Sequence, residues 1–471
     1  MAESLSRTFG RYVASLEFAA LPPEVVDKVK ASLLHALVIA IVGEGTSHGK
    51  AAIALSKEEE SRAGGATILV DGGRATRVGA AFANSKLMHA TNQTDSYRML
   101  IHPGPCVIPA GLATAELGGK GGPEFLAALA AGYEVEARIA GDFIPSTQAR
   151  GFRSSPVYGT LGAAITTGKL IGLTEDQLVT ALALACTFAA GTTEGPRSGG
   201  QEMMYHEPNA VRNGIMAALL ARENVRGSET ALEGDAGFFH AFTGNNKGRL
   251  TYTFQGPLRT EPADVVAGLG SRWELMHVTP KLYPTAGYNC PVIELMAQLR
   301  SQYPVSPEDV RDITVDLNWL ETLYPSPAFP SAQRGAPVVG STHYFAAYTC
   351  VHGGYPPLKP RVDPGDSALD SALGEDPRVM ALLQRVRVVG HKDRPAFAPR
   401  ITVSLRDGAT CQGEFHGNEL EWDLATETRR ISALFDDIPW PRERLEGIVR
   451  TVANLEQQSR IDTLVRLCVR G

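Results

Sequence analysis

Apolar residues recur with helical spacing along roughly the first 265 residues of the chain. The stretch 23–43, PEVVDKVKASLLHALVIAIVG, has proline at a favoured helix start and continues as an apolar helix. The same pattern predicts Ala-rich helices at 76–91, 106–118, 124–141, 159–172, 176–190 and 208–222. Because these segments are apolar on nearly every face, we expect them to be buried among one another.

The pattern changes in the second half of the chain, where short alternating segments typical of strands appear. The predicted strands lie at 307–318, at 386–391 and, as a pair around an Asp-Gly turn, within 400–415. A helical pattern at 377–384 separates them. Residues 353–376 are rich in Pro, Gly and Asp and predict a surface loop.

These elements predict a mainly α protein with two domains. The first is a large all-helical domain built from 1–268 together with 416–471, because the C-terminal tail is again helical and amphipathic. The second is a smaller α+β domain, 269–415.

Composition narrows the possible function. The 471-residue chain has a formal net charge of -6 and no Lys- or Arg-rich run, which argues against nucleic acid and is compatible with a small anionic substrate. Its six cysteines are scattered without a CxxC pair, so we expect neither a disulfide framework nor a thiolate metal site. We find no secretory leader pattern and no apolar run of membrane-spanning length, so we predict a cytoplasmic protein without a membrane partner.

The stretch 89–110, HATNQTDSYRMLIHPGPCVIPA, concentrates polar side chains between two predicted helices. Its prolines prevent one continuous helix, and a polar loop that leads into a buried helix is a favourable place for a functional site. The alternative is structural: Asp95 or Ser96 caps a helix, and His102 bonds to the backbone. His89 and His102 are thirteen residues apart without a defined third ligand, so we predict no metal.

Three further polar clusters favour the functional interpretation. They are 151–159 (GFRSSPVYG), 201–214 (QEMMYHEPNAVRNG) and 280–291 (PKLYPTAGYNCP). Arg153 lies just before a predicted helix, and a helix N-terminus beside an arginine suits a carboxylate. Lys281 lies at the junction of the two predicted domains, where pockets are frequent.

These four stretches resemble the MmgE/PrpD family, which includes 2-methylcitrate dehydratase, cis-aconitate decarboxylase and iminodisuccinate epimerase. The resemblance covers nearly the whole chain. Its best markers are 89–116, 151–173, 206–221, 231–242 and 281–294. It implies a helical domain made by both chain ends, a smaller α+β lid domain, a homodimer, and a site between the domains that needs no cofactor.

The family pattern is kept only in part. The polar positions that match it are Asp95, His102, His206, Lys281 and Tyr288. The positions that depart from it are Asn92, Thr94, Ser96, Arg153, Met203 and Cys290. Arginine cannot shuttle a proton as the family's histidine can, so Arg153 implies a carboxylate clamp instead.

The resemblance assigns roles for chemistry beside a carboxylate, where cations and hydroxyls must stabilise an enolate-like state. The expected catalytic residues are His102, Asp95, Lys281, Tyr288 and His206. The expected substrate-binding residues are Ser96, Arg153, Asn92, Tyr205 and Cys290. Histidine suits proton transfer because its ordinary pKa lies near neutrality.

We therefore expect a lyase that dehydrates a citrate-like or alkylcitrate-like acid. The alternatives are an isomerase or epimerase, or a decarboxylase, on a related polycarboxylate. A further alternative, from a different class, is a non-catalytic family member that has lost part of the polar set.

Overall fold

The computed structural model describes residues 3–223, 225–247, 250–254, 261–303, 305–331, 335–356 and 376–470. The helices of these parts are α1 Leu5–Ser15, α2 Pro23–Gly43, α3 Ser47–Glu59, α4 Arg77–His89, α5 Gly104–Gly118, α6 Gly122–Ala140, α7 Ile144–Ala149, α8 Ser154–Leu170, α9 Glu175–Phe188, α10 Glu194–Ser198, α11 His206–Arg222, α12 Phe238–Thr243, α13 Asn289–Gln302, α14 Thr342–His352, α15 Pro377–Leu383, α16 Leu424–Ser432, α17 Arg442–Ala453 and α18 Asp462–Leu467. The strands are β1 Ser61–Thr67, β2 Arg74–Ala75, β3 Asp95–Tyr97, β4 Val278–Pro280, β5 Val310–Asn318, β6 Val386–His391, β7 Arg400–Leu405 and β8 Thr410–Glu414.

The core of the larger part is a group of helices buried on almost every side. Helix α8 packs against α5, α6, α9 and α11, and all of its residues except Lys169 are buried. Small residues permit the close approach: a Cβ placed on Gly162 would lie 2.2 Å from Glu136 Oε2, so the bare backbone of α8 leaves room for the buried Glu136 side chain of α6. The prediction that these helices are buried among one another is confirmed.

The smaller part is a mixed four-stranded sheet with the order β6-β5-β7-β8. Strands β5 and β6 run parallel, whereas β5–β7 and β7–β8 are antiparallel. Helices α13 and α14 supply buried residues such as Leu295 and Tyr344 to the core that covers this sheet. The mainly α class with a smaller α+β part is confirmed. Residues 357–375, most of the predicted surface loop, lie outside the described residues.

The larger part is mainly helical, and its described residues also contain three short strands. Strands β1 and β2 form an antiparallel pair. Strand β3 pairs with β4, which lies on the other side of the predicted boundary between the two domains. Each of these strands is short, and β3 finds its partner about 180 residues away, so no local alternation of apolar and polar residues marked them.

The C-terminal tail returns to the helical part, as the sequence predicts. Helix α16 packs against α2, where Glu427 Oε1 lies 2.8 Å from His35 Nδ1. Lys30 Nζ donates to the carbonyl of Ala453 in α17 over 2.9 Å. Burial opposes protonation of His35, but Glu427 and the Gln93 carbonyl raise its pKa above the ordinary value. The tail is therefore attached through buried polar contacts as well as apolar packing.

Candidate active site

Within the polar stretch 89–110, residues 90–103 connect the end of α4 to the start of α5 by largely irregular backbone, and residues 104–110 form the first turns of α5. Asn92, Arg98 and Met99 have positive φ angles of 58°, 42° and 72°. Left-handed backbone is uncommon outside glycine and is tolerated best by Asn and Asp. The short strand β3 fixes the middle of the stretch against β4, with Asp95 opposite Pro280 and Ser96 opposite Thr279. This pairing brings Lys281, which follows β4, to the stretch.

Asp95 is fully buried and caps α5. Its carboxylate accepts hydrogen bonds from the Gly104 N–H at 2.9 and 3.1 Å and from the Tyr133 hydroxyl at 2.7 Å. Burial raises the pKa of Asp95, while these two donors oppose the rise. The structural alternative therefore applies to the Asp95 carboxylate, which stabilises the helix start.

His102 is held in one orientation. Its backbone N–H donates to Ser155 Oγ over 3.0 Å, and its Nδ1 lies 2.8 Å from the carbonyl oxygen of Asp95. A carbonyl only accepts, so Nδ1 carries the proton and Nε2 keeps the lone pair. Burial, together with Lys281 and Arg153, lowers the pKa of His102 to about 3. The imidazole is therefore neutral near pH 7.

Lys281 supplies a buried cation next to this histidine. Its backbone N–H donates to the Thr94 carbonyl over 3.2 Å. Its Nζ donates to Asn92 Oδ1 and to the Thr285 carbonyl, both at 3.3 Å. Burial lowers the pKa of Lys281 to about 8, so the amine is protonated near neutrality and deprotonates in mild alkali.

Arg153 is nearly buried and already has a carboxylate partner, Glu207, which sequence reasoning missed. The Arg153 guanidinium forms an ion pair with Glu207 Oε1, and Glu207 Oε2 lies 3.6 Å from His89 Nδ1. The His89 and His102 ring centroids are 5.6 Å apart. In the sequence, Glu207 follows His206 at the start of a predicted helix. A carboxyl at the start of an apolar helix was the only available signal that this residue belongs to the site.

The remaining predicted residues have varied surroundings. Burial and Arg153 lower the pKa of His206 to about 4. Tyr288 is buried with its ring 5.8 Å from that of Tyr324. The centroid of the Tyr205 ring lies 6.4 Å from that of Phe82 and 5.9 Å from that of His48, and Lys86 Nζ lies over the same ring at 5.6 Å.

Ser96 and Cys290 are both buried. Ser96 Oγ lies 3.5 Å from the Ile101 carbonyl. Cys290 packs with Leu420 and Trp422, and burial raises the pKa of its thiol to about 12. Cys290 is therefore a neutral thiol at ordinary pH.

A narrow pocket opens onto two of the predicted residues, His102 and Arg153. The other residues that line it are Met99, Leu100, Gln148, Pro196, Tyr324 and Pro325. A larger surface cavity, lined in part by Lys120 and Lys169, contains none of the predicted site residues. The pocket is the place where the helical part, through His102 and Arg153, meets the segment that follows β5.

Two properties of the described parts of the chain complete the picture. No helix among them combines the length and apolarity needed to cross a membrane. Within the same ranges, no three His, Cys, Asp or Glu side chains gather as a candidate metal site.

Comparison with known proteins identifies the class. Residues 7–251 match the model of the MmgE/PrpD N-terminal domain, and the chain belongs to the MmgE/PrpD family. A cis-aconitate decarboxylase-like protein, oryM, of Aspergillus oryzae is 26% identical over 97% of this chain and 95% of its own length. Cis-aconitate decarboxylase of Aspergillus terreus is 30% identical over 60% of this chain and 58% of its own length. The human cis-aconitate decarboxylase is 28% identical over half of each chain.

Proposed function

We propose that this protein is a lyase that acts on a small polycarboxylate by moving a proton at a carbon beside a carboxylate. The observation that carries the proposal is the fixed tautomer of His102, whose Nε2 lone pair is available in a pocket shared with Arg153. The family membership and the names of the three relatives support the same class of substrate.

Substrate binding would make His102 a better base than it is in the free protein. Burial and the two cations Lys281 and Arg153 depress its pKa. A bound carboxylate brings opposite charge near the imidazole and so raises that pKa towards neutrality. A group whose pKa lies near the operating pH transfers protons best, with a contribution of about 10²–10⁴ in rate.

Decarboxylation is the first candidate reaction, because the relatives are named for it. The C–C bond to the departing carboxylate breaks, carbon dioxide leaves, and the electron pair left on the substrate is protonated at carbon. Lys281 is the proposed proton donor, since with a pKa of about 8 it holds a proton near neutrality. Its charge also stabilises the enolate-like state before protonation.

Dehydration is the second candidate, and the same two residues favour it. His102 would take a proton from the carbon beside a carboxylate while the C–O bond breaks. Lys281 would donate the proton with which the hydroxyl leaves as water. In both reactions Asp95 acts through its carbonyl, which orients His102, rather than as a base.

The test is proton NMR of the protein in D₂O with citrate, 2-methylcitrate, longer alkylcitrates, cis-aconitate and iminodisuccinate. A vinylic product with loss of carbon dioxide supports decarboxylation, and a vinylic product that keeps every carbon supports dehydration. Deuterium uptake without a new skeleton would replace the lyase by an isomerase or epimerase. A folded protein that changes none of these acids would contradict the proposal and favour the non-catalytic alternative.

The variant His102→Asn tests whether turnover depends on His102 or on another part of the chain. We expect kcat to fall by about 10²–10⁴, the usual contribution of one proton-transfer group. The control is His416→Gln, because His416 is exposed, with 81% of its side chain accessible. Near-normal turnover by the folded His102 variant would remove this residue from the mechanism.

The other expectations remain proposals. Tyr288 and His206 stay candidate proton-transfer groups, and Ser96, Asn92, Tyr205 and Cys290 stay candidate binding or supporting residues. The homodimer and the cytoplasmic location also stay predictions, to be checked by light scattering and by fractionation.

A further inference from the structure

His35 is a buried imidazole in the middle of α2 that contacts two distant parts of the chain. Only 1% of the residue is exposed. Its Nδ1 lies 2.8 Å from Glu427 Oε1 in α16, and its Nε2 lies 2.7 Å from the carbonyl oxygen of Gln93. A carbonyl only accepts, so Nε2 carries a hydrogen and donates a hydrogen bond to Gln93. One ring therefore connects the C-terminal tail to the backbone between α4 and α5.

The hydrogen bond to Gln93 is stronger than one from a neutral ring. Burial opposes protonation of His35, but Glu427 and the Gln93 carbonyl raise its pKa. A protonated imidazole donates from both nitrogens, and each of its hydrogen bonds is then charge-assisted. Because Glu427 orients the ring on one side, the nitrogen on the other side fixes the position of the Gln93 carbonyl.

Gln93 lies between two residues that contact Lys281. Its own side-chain amide donates to the Leu282 carbonyl over 2.7 Å. On one side of it, Asn92 Oδ1 accepts a hydrogen bond from Lys281 Nζ over 3.3 Å. On the other side, the Thr94 carbonyl accepts from the backbone N–H of Lys281 over 3.2 Å. A movement of the Gln93 backbone would therefore change the surroundings of the buried lysine.

The backbone at this point needs support from other parts of the chain. Asn92 has a φ of 58°, in the left-handed region that is uncommon outside glycine. Such a conformation persists where surrounding contacts enforce it. Without the His35 donor, the buried Gln93 carbonyl would be unpaired, and the cost of an unpaired carbonyl favours a shift of the backbone towards another donor. That shift would move the Asn92 amide and the Thr94 carbonyl away from the lysine.

We propose that His35 is a positioning residue, which fixes the Gln93 carbonyl and thereby holds Lys281 in the candidate active site. Glu427 of the C-terminal tail supports it by orienting the ring. The inference rests on the proposed function for the part that Lys281 plays in turnover, whereas the contacts that hold the lysine can be tested without turnover.

Loss of the His35 donor should lower the pKa of Lys281. Hydrogen bonds from the protonated amine to oxygen acceptors favour the charged form, so the loss of an acceptor favours the neutral amine. Burial already lowers this pKa to about 8. One hydrogen bond contributes about half a pKa unit to one pKa unit. The alkaline loss of activity should therefore begin at a lower pH.

Two double variants differ only in the donor at position 35. One combines His35→Gln with Glu427→Met, and the other combines His35→Leu with Glu427→Met. Both remove the ion pair without leaving a buried charge, and such a replacement is often tolerated. The glutamine amide reaches about as far as the imidazole Nε2 and keeps a donor for Gln93, whereas leucine offers none.

A third variant, Lys30→Met, controls for the attachment of the tail. Lys30 also lies in α2, and its Nζ donates to the carbonyl of Ala453 in the tail over 2.9 Å. Its replacement weakens the same attachment without a change at Gln93.

The pKa of Lys281 is measured by carbon NMR of protein isotopically labelled at the lysine Cε atoms and titrated into alkali. Lys281→Arg identifies the signal and separates it from that of Lys28, whose pKa burial also lowers to about 8. The pH dependence of kcat/KM is measured over the same range, because kcat/KM reports the ionisation of the free enzyme.

We expect the leucine double variant to lower the pKa of Lys281, and with it the alkaline limit of kcat/KM, by at least about half a unit. The glutamine double variant and Lys30→Met should keep the wild-type values. Equal shifts in the two double variants would assign the effect to the tail attachment and overturn the inference. An unchanged Lys281 pKa in the folded leucine variant would also overturn it.

His35→Met alone covers the case in which the leucine double variant does not fold. It also lacks the donor, and Glu427 can become neutral there by binding a proton, so the Lys281 pKa should fall by the same amount. If the Lys281 pKa responds as expected but no acid is turned over, the lyase proposal fails alone. If an acid is turned over and the Lys281 pKa is the same in all folded variants, the positioning inference fails alone.

Discussion

Asn92→Asp is the sharpest test of the proposed role of Lys281. Asn92 Oδ1 accepts a hydrogen bond from Lys281 Nζ at 3.3 Å, so aspartate would place a carboxylate against the amine in nearly the same shape. Asparagine and aspartate both tolerate the left-handed backbone found at this position, where φ is 58°. The change therefore alters charge with little change in geometry.

The expected effect is a shift of the alkaline limit of activity. With the pKa of Lys281 at about 8, the protonated fraction falls about tenfold between pH 7 and pH 9. An opposite charge at contact distance raises the pKa of such an amine by about 1–3 units. Even a one-unit rise would reduce the loss between pH 7 and pH 9 to about twofold.

The assay is kcat/KM across this range, because kcat/KM reports the ionisation of the free enzyme. The carboxylates of the substrates are mostly ionised over this range, and the Cys290 thiol, with a pKa of about 12, does not titrate. Asn92→Gly is the matched control, since glycine keeps the backbone conformation and adds no charge. An alkaline limit at the same pH in wild type and Asn92→Asp would refute the assignment of this limit to Lys281.

Two further predictions concern buried carboxyl groups. Burial, with Asp95 and Glu207 nearby, raises the pKa of Glu136 well above normal. The wild type therefore loses stability as the pH rises above the pKa that Glu136 has in the unfolded chain. Glutamine does not titrate, so the free energy of unfolding of Glu136→Gln should gain about 1.4 kcal/mol relative to wild type for each pH unit in that range. Urea unfolding at pH 5 and pH 7 measures this gain, and a difference between variant and wild type that stays constant would contradict the prediction. Glu427→Gln should destabilise by about 3–5 kcal/mol at pH 6, because it leaves the buried imidazolium of His35 unpaired. Since the His35 pKa is raised, this loss should shrink in alkali as His35 deprotonates, and an equal loss at pH 6 and pH 9 would exclude the pair as its cause.

The sequence alone determined most of the long helices and the larger strands. The helix predicted at 23–43 has the same bounds in the structure, and so has the strand at 386–391. Helices α5, α6, α8 and α9 differ from their predictions by a few residues at their ends. These elements carry their signal locally, in the period of apolar residues and in the Gly and Pro that bound them.

The tertiary structure alone decided the pairing of β3 with β4 and the role of each polar side chain. The sequence predicts a catalytic part for Asp95 but not its contacts: its carboxylate caps α5 and its carbonyl contacts His102, and its part in catalysis stays a prediction. Glu207 forms an ion pair with Arg153, and the sequence marked it only as a carboxyl at the start of an apolar helix, which does not predict that partner. The reason is physical. The formation of a helix or strand depends mainly on residues that are neighbours in the sequence. The charge state of a pocket depends instead on distances between residues far apart in the chain and on their shared exclusion from water.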